Sequence, residues 1–198
     1  MTGLGQQIMA LVRLTLADPR AAARRLLSLD VPMSARTGGL LLMAVASTFL
    51  MQVGFLILPP TEDPVAAFMM QSPLRTAAIQ WLILAVSVLL IHRIGRAWGG
   101  RGSLTDTLLV VVWLQVIMLG VQLVQTVLLL VAPPFAGLVN LAGIILFFWL
   151  MTSFIAELHG FASRGAVMAG ILLASFGLAM ILVLLLIFFV GPEALGNV

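Results

Sequence analysis

The sequence predicts an all-α polytopic membrane protein, a bundle of five transmembrane helices preceded by short N-terminal amphipathic helices. Three observations predict it. Of 198 residues, 62% are hydrophobic and 9% charged, where a soluble domain carries roughly 45–50% and 25%. Five apolar stretches each approach the ~20 helical residues needed to cross ~30 Å of hydrocarbon. The arginines between them fall almost entirely on one face. Backbone groups in lipid must be bonded within their own segment, so the spans are helices.

Two short helical patterns come first. Leu4, Ile8, Leu11, Val12 and Leu16 share one face at helical spacing. Asp18 and Pro19 then supply an N-cap and a first position for a second helix. In it Ala22, Leu26 and Leu29 face one way, and Arg20, Arg24 and Arg25 face largely another. An apolar face opposite arginines suits a helix on an anionic leaflet, which makes these three arginines the candidate lipid-headgroup contacts. Residues 1–30 lack the unbroken apolar core of a signal peptide, because Arg13, Asp18, Arg20, Arg24 and Arg25 interrupt them. The first span is therefore expected as an uncleaved anchor.

The five spans are expected near residues 38–58, 77–94, 107–131, 137–156 and 166–190. Between them stand Pro59 and Pro60 with Glu62, Asp63 and Pro64; Gly99 to Gly102; Pro133 and Pro134; and His159-Gly160 through Arg164-Gly165. This divides the chain into a cytoplasmic N-terminal part (1–36), a five-span domain (37–192) and a short external tail (193–198). Short cytoplasmic loops retain positive charge. With five spans Arg13, Arg20, Arg24, Arg25, Arg36, Arg93, Arg96, Arg101 and Arg164 share one side, and only Arg75 lies opposite. The N-terminus is then cytoplasmic and the C-terminus external. All basic residues are arginine, a bias of GC-rich bacterial coding, so the expected location is a bacterial inner membrane.

Composition also excludes functions. The charge of +3 and pI of about 11.4 come from arginines flanking apolar runs, a membrane-orientation pattern rather than a nucleic-acid face. With no cysteine, disulfides, thiolate metal sites and thiol catalysis are absent. No predicted span carries an acid or an arginine near its middle, the usual mark of an ion-coupled transporter. No phosphate loop, nucleophile elbow or dinucleotide fingerprint is present, and neither a cofactor nor an enzymatic activity is expected.

Three constellations remain. Gln115, Gln122 and Gln125 form a stripe on the third span, with Gln80 on the second and Ser47, Thr48 and Gln52 on the first able to bond to it. Such amides serve either as interhelical hydrogen bonds or as a path for a small solute or ion. Ala162, Ala166, Gly170 and Ala174 make a small-residue face on the fifth span, suited to packing in the bundle or to a homo-oligomer or partner interface. Finally His92, Asp106, Glu157 and His159 gather near the cytoplasmic ends of the spans. They match no metal or acid–base motif, and they read as boundary residues that pair locally.

Certain stretches have a familiar order. Asp18-Pro19-Arg20-Ala21-Ala22-Ala23-Arg24-Arg25-Leu26-Leu27 precedes the first span, Trp98-Gly99-Gly100-Arg101-Gly102-Ser103-Leu104-Thr105-Asp106 leads into the third, and Trp149 precedes Glu157-Leu158-His159-Gly160-Phe161 and Ala166. In these the chain resembles the Yip domain family, five-span proteins whose eukaryotic members interact with Ypt/Rab GTPases. The third span departs from the family's aromatic-proline pair, since Val112-Trp113-Leu114-Gln115 has no proline, and the region before the first span is short. For a bacterial short form the resemblance implies the fold and a non-enzymatic role organising membrane or membrane-protein partners. The functional expectation is a scaffold or accessory protein in contact with the bilayer and with itself or another membrane complex; the alternative is solute permeation along the glutamine stripe.

Overall fold

The computed structural model describes residues 3–57 and 64–190. Within them the chain forms α1 (Leu4–Ala17), α2 (Pro19–Leu27), α3 (Met33–Ile57), α4 (Pro64–Met70), α5 (Pro73–Ala97), α6 (Leu104–Val131), α7 (Pro133–His159) and α8 (Arg164–Val190), with no strand among the described residues. A first compact unit, Met1–Phe161, holds α1 to α7, and a second, starting at Ala162, holds α8.

Each stretch expected to cross the membrane is one continuous helix. Those on α3, α5, α6 and α7 are long and apolar enough to span, and α8 runs for 27 residues, about 40 Å at 1.5 Å per residue. The helices extend a turn beyond the apolar stretches because capping residues, not hydropathy, set their ends. Ser72 accepts the Arg75 N–H, with Pro73 at the first position of α5. Ser103 accepts the Asp106 N–H at 3.1 Å at the start of α6, and Pro133 and Pro134 open α7. The predicted end of the first span at Leu58, the Pro59, Pro60, Glu62 and Asp63 breakers and the tail 193–198 lie outside the described residues.

The α4 turn was not anticipated. Its last carbonyls are bound by neighbouring helices: Met69 O accepts from Gln52 Nε2 at 3.0 Å and from Thr76 Oγ1 at 2.9 Å. Arg75 donates to Phe68 O and lies over the Phe68 ring, 3.6 Å from its centroid.

Helix α6 is the centre of the first unit and packs on α3, α5, α7 and α2. One face carries Leu108 and Val111 against Leu40, Ala44, Leu84 and Val88. Another carries Leu109, Val110, Trp113, Leu114 and Ile117 against Leu150, Phe154 and Leu158 of α7. Close approach relies on glycines: a Cβ on Gly39 would lie 3.0 Å from Val112, and one on Gly143 3.0 Å from Val121. Small residues at helix contacts are the usual means of association where lipid removes the hydrophobic drive.

The N-terminal helices belong to this core. Ala22, Ala23 and Leu26 of α2 and Leu11 of α1 are buried with α6 and α7. Between α1 and α6 the Trp113 Nε1–H donates to Thr15 Oγ1 at 3.0 Å, a buried bond. The apolar face of α2 is thus covered by protein, whereas Leu4, Ile8, Met9 and Leu16 of α1 stay exposed. Elsewhere Leu42, Phe49, Leu82, Leu138, Leu141 and Ile145 face outward, an exterior suited to acyl chains as solvent.

Candidate functional site

The arginine end of the first unit has the densest polar chemistry. Asp18 caps α2, its Oδ1 accepting from Arg20 N at 3.1 Å and Ala21 N at 3.0 Å. That cap sets the phase of α2, and two of its arginines reach the end of α7. Arg20 donates to Phe161 O at 3.3 Å, and Arg24 pairs with Glu157 at 3.2 Å. Arg25 is exposed and its side chain has no partner among the described residues.

Helices α5 and α7 end alike. In α5 the Gly99 N–H bonds Arg96 O and the Gly100 N–H bonds Gly95 O; in α7 the Gly160 N–H bonds Glu157 O and the Phe161 N–H bonds Ala156 O. This paired pattern is the Schellman motif, which needs a left-handed residue. Gly99 (φ 84°) and Gly160 (φ 74°) supply it.

His159, the last residue of α7, sits between these two ends and is 2% exposed. Three glycines make room for its imidazole. A Cβ on Gly95 would come within 2.2 Å of Nε2, one on Gly100 within 2.5 Å of Nδ1 and one on Gly102 within 2.9 Å of Cε1. The Gly102 N–H donates to Nδ1 at 3.3 Å, so that nitrogen carries no proton. The Arg101 N–H donates to His159 O at 3.1 Å, and Phe161 stacks on the ring at 5.5 Å and 25°. The loop before α6 is thereby held to the end of α7 through one histidine.

The acids do not join it. Asp106 accepts from Ser103 Oγ at 2.6 Å and from Arg36 at 3.1 Å. Arg36 also donates to Val31 O and Thr105 O. Glu157 is held by Arg24. His92 is half-buried on α5 with its Nδ1 shielded and unpartnered. Of the four sequence candidates, the carboxylates are each taken by a different arginine, and no three His, Asp or Glu among the described residues are placed to hold a metal.

The glutamine stripe divides. Gln115 Nε2 donates to Ser47 Oγ and Gln122 Nε2 to Ser47 O, both at 3.0 Å, tying α6 to α3. Gln125 instead lines a cleft of about 340 Å³ between α6 and α7, with Gln122, Asn140, Met118, Val121, Gly143, Ile144, Phe147 and Phe148. Gln80 is half-buried on α5, and its side chain makes no hydrogen bond among the described residues. In the second unit Ala162 and Ala166 are exposed, Gly170 is buried and Ala174 half-buried.

A family model, the Yip1 domain, matches residues 13–189, nearly the whole chain. The chain belongs to the Yip1 domain family. No curated protein and no solved structure matches it. The Yip1 match begins inside α1, in keeping with the burial of α1 and α2 beside α6 and α7. Within this Yip1 domain the residues missed by sequence reasoning are Gly95, Gly100 and Gly102 around His159, and Thr15 under Trp113. The signal for the first group was a cluster of glycines near one helix end and a histidine before a glycine at another.

Proposed function

We propose that this Yip1 protein is a non-enzymatic scaffold or accessory protein of a bacterial inner membrane, its arginine end cytoplasmic, which holds a membrane-protein partner or a second copy of itself. The observation that carries this is how the polar groups of the first unit are used. Glu157 and Asp106 are paired with Arg24 and Arg36, and Gln115 and Gln122 are tied to Ser47. These bonds join helices to one another, which favours packing over a solute path. What is left outward on the N-terminal helices is a mixed surface, with Met9, Arg13 and Leu16 on one face of α1 and Arg25 on α2, all exposed. A basic, apolar surface at the membrane boundary suits a partner that also lies there.

Affinity purification from membranes in mild detergent, after brief cross-linking, tests this. A stable co-purifying membrane protein or a self-cross-linked dimer is expected, weakened by Met9→Ser with Leu16→Ser. A protein recovered only as a lone monomer under several mild detergents would contradict it.

A further inference from the structure

The α6–α7 cleft has a polar upper end and an apolar lower end; of the amides that line it Gln122 is bonded to Ser47, and the two nearest its end, Gln125 and Asn140, are left. Gln125 and Asn140 make no side-chain hydrogen bond among the described residues, and Asn140 is exposed. Both line the cleft, whose other walls are Gln122, Gly143 and the apolar Met118, Val121, Ile144, Phe147 and Phe148. Gln125 lies six residues before the end of α6 and Asn140 seven after the start of α7, so both sit about 10 Å in from the same end. Helices of 27 and 28 residues overrun a ~30 Å hydrocarbon layer by about 5 Å on each side. The two amides therefore stand about 5 Å inside the hydrocarbon boundary, among the first methylenes and just below the layer of lipid ester groups that borders them. Unbonded amides at that depth are costly. Phe147 and Met118 lie about two turns deeper on their helices, toward the bilayer middle.

From this order of groups we infer that the cleft is a binding site for a diacyl glycerolipid of the leaflet opposite the arginine end. The Gln125 and Asn140 N–H groups donate to an ester carbonyl. One acyl chain runs down the cleft along Met118, Val121, Ile144 and Phe147. Gly143 keeps the cleft floor low: a Cβ there would already press on Val121 at 3.0 Å. The volume of about 340 Å³ is at the lower end for small-molecule sites, room for part of one chain with the headgroup left outside. The site selects the ester linkage, not the headgroup, and it stands whether or not the protein acts as a scaffold.

Native mass spectrometry of the purified protein, titrated with a diacyl phosphatidylethanolamine and with its dialkyl ether analogue, tests the site. One ester lipid is expected to survive detergent that strips the rest. The ether analogue, which has no carbonyl, should bind about tenfold more weakly, in line with two lost hydrogen bonds. The double variant Gln125→Leu/Asn140→Leu should lose the ester preference while keeping its helical circular dichroism. Should that variant fail to fold, the ester and ether titrations on the unsubstituted chain decide alone. Equal binding of the two lipids, or no retained lipid, overturns the proposal.

Discussion

His159 closes a transmembrane helix with its imidazole almost fully covered, and it fits there because three neighbours have no side chain. The tightest approach is at Gly95, where a Cβ would lie 2.2 Å from Nε2. Gly95→Ala must therefore displace the ring. An overpacked site costs about 1–3 kcal/mol, and the displaced ring also loses the Gly102 hydrogen bond. Gly120 is also on a spanning helix, but a methyl added there would meet open space, with nothing within 4 Å. Gly120→Ala should be neutral or stabilising by up to about 1 kcal/mol through helix propensity. Thermal unfolding in nanodiscs separates them: the first variant should melt lower and the second should not. His159→Ala in the Gly95→Ala background should cost less than the two single changes added together, because the clash is then gone. Equal melting of both glycine variants would mean that the cradle is loose.

At the scale of elements, α1 is held to the core by the packing of Leu11 and by one buried hydrogen bond to α6. Thr15 interrupts the apolar face of α1, and its hydroxyl accepts the Trp113 indole N–H while donating to Leu11 O at 2.8 Å. Thr15→Val keeps the shape but strands that N–H, a loss of about 1–3 kcal/mol. Thr15→Ser keeps the acceptor and should cost less. Limited proteolysis should cut the valine variant sooner between α2 and α3; equal cutting of both would show that α1 is not held through Trp113. The same bond marks the boundary of what was legible. Hydropathy placed the four helices α3, α5, α6 and α7 that are long and apolar enough to span, because a run of about twenty apolar residues has one use in a membrane. Pairing of Gln115 and Gln122 with Ser47 could also be foreseen, since amides on facing helices have few other outlets. Thr15 and Trp113 are 98 residues apart, and nothing local in either sequence names the other. Ala22 and Ala23 read as ordinary helix formers, so burial of α2 was hidden behind its more conspicuous arginines. The glycines around His159 read as helix-end punctuation, which Gly99 is, and their second role exists only once α5 and α7 end side by side.

For the molecule as a whole, topology is the claim from which the others follow. Gathering of arginines on α1 and α2 and at the start of α3, at the end of α5 and in the turn to α6, and at the start of α8 is the sequence basis for a cytoplasmic arginine end, and the pairings of Arg20, Arg24 and Arg36 make that end the most polar part of the first unit. On the proposed function, the same topology would set the leaflet that the α6–α7 cleft faces and the side from which a partner is expected to dock. With no native cysteine, single cysteines can be introduced without background. Ser28, Gln71, Ala97 and Phe135 are all exposed and fall at successive ends of the helices. The decisive measurement is labelling of Ser28→Cys, Gln71→Cys, Ala97→Cys and Phe135→Cys by a membrane-impermeant maleimide in intact cells. Gln71→Cys and Phe135→Cys should label at once, and Ser28→Cys and Ala97→Cys only after permeabilisation. Labelling of Ala97→Cys from outside, or protection of Gln71→Cys, would contradict the five-span arrangement with its arginine end in the cytoplasm.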